Sequence, residues 1–171
     1  MSSVLSRIRP ATLTDIAAIQ KIAHQSWVHT YEGIIPDEVQ AQAIATWYST
    51  PALQVAITSG QSVFLVAEAE EQIIGFAQFV CRLNGVAELS RIHIMPENQG
   101  VGIGTALVDL GLHAVQKMGL RTVMVAVEAM NAKARSFYER RGFVEHSESE
   151  FSIFGYSLSL IFYQLPSVQC P

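Results

Sequence analysis

The sequence predicts an α/β (α+β) domain, with a mixed, mostly antiparallel central sheet flanked by helices on both faces. Three observations carry this expectation. Apolar, strand-like runs at residues 62–68, 72–82 and 86–94 follow one another across short turns. Later strand-like runs alternate with stretches whose apolar residues recur at helical spacing. The chain has 171 residues, half of them hydrophobic and 15% charged, which suits one domain over residues 1–171 with a sizeable core.

Each element has its own signal. Residues 4–9 read as a first strand, stopped by Pro10. Thr12-x-x-Asp15 has the spacing of a capping box, with aspartate for the usual glutamate or glutamine. Ile16, Ile19, Ile22 and Ala23 then give a helix its apolar stripe. Pro36 is expected at the first position of a second helix, whose apolar side is Ile44 and Trp47. A short helical piece follows the break at residues 49–51 and runs to Gly60.

The strands at 62–68 and 72–82 flank a Glu-Ala-Glu-Glu turn. Asn84-Gly85 is a hairpin signal, because both residues tolerate the positive φ that a tight turn demands. The helix after Gly102 is expected to bury Ile103, Leu107, Leu110, Ala114 and Met118, and Gly119 closes it. Residues 122–127 are β-branched and read as a buried strand. A helix over 132–141 ends at Gly142, and a final hairpin joins 143–150 to 156–165 around a turn at 151–155.

Composition narrows the function. Net charge is −4 with no basic cluster, which argues against a nucleic-acid partner. No run of about 20 apolar residues predicts a membrane span, and no signal peptide is visible, so a cytoplasmic location is expected. The two cysteines, Cys81 and Cys170, form no metal-ligand or disulfide pattern, and Cys81 is expected in the core. His24, His29, His113 and His146 have no metal-like spacing, so no metal is expected. The apolar composition, and the uncharged run at 151–165 above all, suggests a homodimer interface.

The most specific stretch is Gln99-Gly100-Val101-Gly102-Ile103-Gly104, set between a strand and a helix. Alternating glycines let backbone approach a ligand closely. The helix start adds unpaired N–H groups and a positive dipole end, a combination suited to phosphate or pyrophosphate. A dinucleotide fingerprint needs Gly-x-Gly-x-x-Gly with a later acidic residue, and a triphosphate loop needs a lysine after the last glycine. Neither is present. Taken alone, a plain tight turn remains an equal reading.

Gln99-x-x-Gly102-x-Gly104 resembles the coenzyme A pyrophosphate signature of the GNAT N-acetyltransferase superfamily. A second block, from Asn131 through Tyr138 to Gly142-Phe143, resembles that family's following segment, and residues 8–15 resemble its opening strand and helix. The resemblance spans nearly the whole chain. It implies the GNAT fold, acetyl-CoA as cosubstrate, and transfer of acetyl to a primary amine. A small molecule or polyamine is the expected acceptor. The alternatives are protein N-terminal or lysine acetylation, and a non-catalytic coenzyme-binding module.

The resemblance also implies roles. Gln99, Gly100, Val101, Gly102, Ile103 and Gly104 would hold the pyrophosphate. Strand backbone at Ile92, His93 and Ile94 would meet the pantetheine amides, as an added strand does. Asn131 would bond the pantetheine arm, cap the following helix, or do both. Tyr138 matches the family tyrosine beside the thioester sulfur. It reads either as the acid for the departing thiolate or as an aromatic that packs the helix.

An alkylamine with pKa about 10.4 must lose a proton to attack. Glu88 resembles the glutamate base of the histone-acetylating branch, and its rival reading is a solvated strand glutamate. The N-terminal-acetylating branch has a glutamate where this chain has Ala126. His93 is a second candidate base or a structural histidine. Trp27, Tyr31 and Glu32 border the expected acceptor pocket, where rings and a carboxylate suit an ammonium group. Helix-end packing is their alternative. No residue stands where an acyl-enzyme nucleophile would, so direct transfer is expected.

Overall fold

A computed structural model describes residues 7–166. Its elements are β1 (Arg7–Pro10), α1 (Ile16–Tyr31), α2 (Asp37–Trp47), α3 (Thr50–Thr58), β2 (Ser62–Ala69), β3 (Gln72–Cys81), β4 (Val86–Ile94), α4 (Ile103–Lys117), β5 (Thr122–Glu128), α5 (Ala132–Arg140), β6 (Val144–Ile153) and β7 (Tyr156–Leu165). Among the described residues seven strands form one sheet in the order β1-β2-β3-β4-β5-β7-β6. Every described pairing is antiparallel except β4 with β5. The mixed, mostly antiparallel sheet expected from sequence is therefore present. Residues 4–6 of the expected first strand, and Cys170, lie outside the described residues.

Helices cover both faces. Leu65, Phe79, Leu89, Leu107, Val115 and Tyr163 belong to one buried cluster, on the α4 side. Ile19, Ile22, Trp27, Leu53, Phe64 and Phe76 belong to the other, under α1 to α3. The Thr12–Asp15 capping box is formed, and Asp15 also takes two bonds from Arg9 at 2.8 and 2.9 Å. No helix among the described residues is long and apolar enough to cross a membrane.

Three hairpin turns put both central residues at positive φ. They are Glu70-Glu71, Asn84-Gly85 and Phe154-Gly155. Such turns follow the twist of the strands they join. The last one shortens the expected 151–155 turn to two residues, so Phe151 lies in β6. Pro36 sits just before α2 rather than as its first residue.

α4 is rotated from the expected face. Ile103, Leu107, Val108, Gly111 and Val115 are buried, whereas Leu110 and Met118 are about half exposed. Gly111 explains the rotation. A Cβ there would fall 2.0 Å from the Phe79 ring, so the helix rests on the sheet at its smallest residue. Cys81 is half-buried rather than in the core, because it ends β3 where the chain leaves the sheet.

Candidate active site

The only parallel pairing among the described residues is short. β4 and β5 are in register over residues 86–88 and 122–124, and then part. β4 goes on pairing with β3 to Ile94, and β5 with β7 to Glu128, so each strand stays ordered by its other neighbour. A cleft of about 990 Å³ occupies the gap, lined by residues 88–94 and 125–127. Strand backbone along such a gap has no sheet partner on that side and is free to pair with a ligand.

β4 also carries a bulge. Leu89 and Arg91 pair with the adjacent residues Phe79 and Gln78, so Ser90 is the extra residue. A bulge re-aims the side chains that follow it. Leu89 packs in the cluster beside α4, whereas Arg91 and His93 touch Tyr48 on the opposite side.

The glycine turn closes one end of the cleft. Gly100 and Gly102 have φ of 81° and 90°, which side-chain-bearing residues rarely adopt, and a Cβ at either would meet nothing. Gly102 is the N-cap of α4 and supplies no side-chain cap. The first amides of the helix are thus left for an anion. Gly104 has a different reason to be glycine, since a Cβ there would lie 3.1 Å from the Ile94 side chain. Gln99 bridges the walls: its Nε2 donates to the Ile94 carbonyl at 3.2 Å, and Lys133 Nζ donates to its Oε1 at 2.7 Å. Ile103 points into the core and Val101 is exposed, and neither of these expected coenzyme contacts lines the cleft.

Asn131 lines the cleft and caps α5, accepting from the Ala134 amide at 3.1 Å. Tyr138 is buried between Phe137 and Phe143 and lines the cleft as well. Burial, then the nearby Tyr31, pushes its hydroxyl well above the usual phenol range, so it stays protonated. Glu88 lies on the cleft wall, about one third exposed. Arg82 binds one of its oxygens at 2.7 and 2.8 Å, and Ser90 donates to the other at 3.3 Å.

The remaining end of the cleft is aromatic. Trp27 packs on Tyr31 and Trp47, and Trp47 on Phe154. Glu32 does not line this cleft: α1 ends at Tyr31, and the chain turns away with Glu32 exposed. His93 is bracketed, with Nδ1 3.0 Å from Ser26 Oγ and Nε2 2.9 Å from Tyr48 Oη. Burial, helped by the Arg91 charge, pushes its pKa down to about 3. It is therefore a neutral structural bridge at neutral pH. Ser26, Tyr48 and Arg91 were not singled out from sequence, because only the fold brings them to His93.

Residues 28–158 match the family described as the acetyltransferase (GNAT) domain. A mycothiol acetyltransferase from Tsukamurella paurometabola is 32% identical over 139 residues, which cover 80% of this chain and 46% of that protein. A spermidine N(1)-acetyltransferase from Thermoplasma acidophilum is 31% identical over 140 residues, covering 80% of this chain and 86% of that one. This chain thus spans about half of the first relative and most of the second. In structure it resembles the PaiA N-acetyltransferase of T. acidophilum in complex with coenzyme A, with a TM-score of 0.82 and 26% identity. That match covers 97% of this chain and 99% of the other. The chain belongs to the GNAT family of acetyl-CoA-dependent acetyltransferases.

Proposed function

We propose that this protein transfers the acetyl group of acetyl-CoA directly to a primary amine of a small molecule. One observation carries the reading. A single cleft joins an uncapped helix start with glycines to two unpaired strand edges, a protonated phenol and an aromatic pocket. These match the pyrophosphate, the pantetheine amides, the thioester and the acceptor in turn. The T. acidophilum relative named as a spermidine acetyltransferase supports a small-molecule amine.

In this reading Gly100, Gly102 and the first amides of α4 hold the pyrophosphate. Backbone at residues 92–94 and Asn131 hold the pantetheine arm. The neutral amine enters beside Trp27 and Tyr31, and its nitrogen attacks the thioester carbon. Glu88 takes the ammonium proton, through water. The C–S bond breaks, the Tyr138 hydroxyl protonates the thiolate, and the phenol regains its proton from solvent.

The test is an amine panel with acetyl-CoA, read by free thiol release, beside isothermal titration with coenzyme A. Thiol release with at least one amine is expected. Gly102→Asp, which places a carboxylate at the anion site, should abolish coenzyme binding. Coenzyme binding without turnover of any amine would reduce the protein to a binding module.

A further inference from the structure

The aromatic end of the cleft contains a cation without a counter-ion. Arg91 forms no ion pair among the described residues. Its guanidinium lies 4.8 Å over the Tyr48 ring, and its Nη1 is buried with no hydrogen-bond partner. A second buried donor is orphaned in the same corner. Trp27 Nε1 approaches the Tyr48 hydroxyl without closing a hydrogen bond, and Trp27 is only 6% exposed. Both side chains line the cleft.

Buried charges are normally paired and buried donors normally satisfied. Here a partly buried guanidinium and a buried indole N–H, on β4 and α1, converge on one tyrosine, and among the described residues neither Arg91 Nη1 nor Trp27 Nε1 completes a hydrogen bond. The Ser90 bulge is what turns Arg91 to this side, away from the cluster that holds Leu89. The nearest histidine, His93, is neutral and has both nitrogens engaged, so it supplies no acceptor for them. Glu88 is held by Arg82.

We propose that Arg91 and Trp27 Nε1 bind a carboxylate of the acetyl acceptor. The acceptor is then an amine that also carries a carboxylate and an apolar group, as an apolar α-amino acid does. A carboxylate has acceptors only and one negative charge, and a guanidinium meets it in a fixed fork. Trp27, Tyr31 and Trp47 supply the apolar wall. A polycation such as spermidine would instead meet the unneutralised Arg91. This inference rests on the amine-acetylating reading above and narrows its substrate.

The experiment has a binding arm and a turnover arm. Coenzyme A-loaded protein is titrated with N-acetylphenylalanine, N-acetylphenethylamine and N-acetylspermidine. The carboxylate-bearing ligand should bind at least ten-fold more tightly than the other two. Arg91→Met should remove that preference while coenzyme A affinity and the thermal midpoint stay nearly unchanged, and Arg91→Lys should restore part of it. Equal binding of the three, binding of none, or a preference that survives Arg91→Met would overturn the proposal. Thiol release is then compared for phenylalanine, phenethylamine and spermidine. Silence with every amine would sink the catalytic reading, while the titration still judges the carboxylate site.

Discussion

In the proposed reaction Tyr138 serves two purposes through different atoms. Its ring packs between Phe137 and Phe143, and the residue lines the cleft. Tyr138→Phe therefore keeps the packing and removes only the proposed proton donor. It should lower kcat by about ten-fold or more and leave coenzyme A affinity unchanged. An unchanged kcat would return this tyrosine to core packing alone. His93 makes a different prediction. Its pKa is lowered to about 3 in the folded chain, against about 6.5 when unfolded. The unfolded state then binds the proton first, so stability is full above pH 6.5 and falls as pH drops towards 3. Between pH 7 and 5 the loss should be about 2 kcal/mol, read from urea midpoints. His93→Gln should flatten that slope, and parallel slopes for the two proteins would contradict it. Asp15, whose pKa Arg9 holds below the usual carboxylate range, acts only at lower pH. In sequence His93 was legible as a strand residue with two possible roles. Its bracketing by Ser26 and Tyr48 was not, because those partners stand 67 and 45 positions away.

Among the elements, α4 was legible as a helix at nearly its true length, but not in its rotation. Apolar residues occur on more than one side of it, and hydrophobicity alone ranks Leu110 above Gly111. Close packing reverses that order, because the approach of helix to sheet is set by the smallest side chain at the contact. Gly111→Ala should destabilise the fold by about 2–3 kcal/mol, since its Cβ has no room beside Phe79. Phe79→Leu in the same chain should recover part of that loss, a non-additivity expected of residues in contact. Simple additivity in denaturant melts would place the strain elsewhere. Apart from β6, which runs three residues past its expected end, the strand bounds from β2 onwards were read within a residue because paired turn residues punctuate them. The β4 bulge was invisible, since the alternation Ala87, Leu89, Arg91 gives no sign that an extra residue intervenes. That bulge decides which face Arg91 joins. The glycine motif and the family resemblance thus announced the turn, Tyr138 and the aromatic pair Trp27 and Tyr31, while the place of Arg91 beside that pair depended on register.

For the whole molecule, the charged outer strand and the apolar tail point in different directions. β6 is exposed along nearly its full length and carries Glu145, Glu148 and Glu150, which discourages edge-to-edge pairing. Much of the apolar tail covers the protein's own sheet through Ile153, Ile161 and Tyr163. Phe151 and Phe154 remain about half exposed. A homodimer formed through these rings should appear in light scattering and be lost in the Phe151→Ser, Phe154→Ser double variant. A wild-type monomer at high concentration would remove the interface reading and leave Phe151 as a residue that lines the cleft. The parting of β4 and β5 has one last consequence. Most sheets keep their weakest backbone at the rim, but this one has an opening at its centre. A coenzyme laid along those strands would be an eighth strand supplied from solution, and folding would share its free energy. At a hundred-fold excess over Kd such a ligand contributes about 2.7 kcal/mol. The fraction of this chain that stays folded would then follow the acetyl-CoA supply, making the enzyme's own abundance a readout of its cosubstrate.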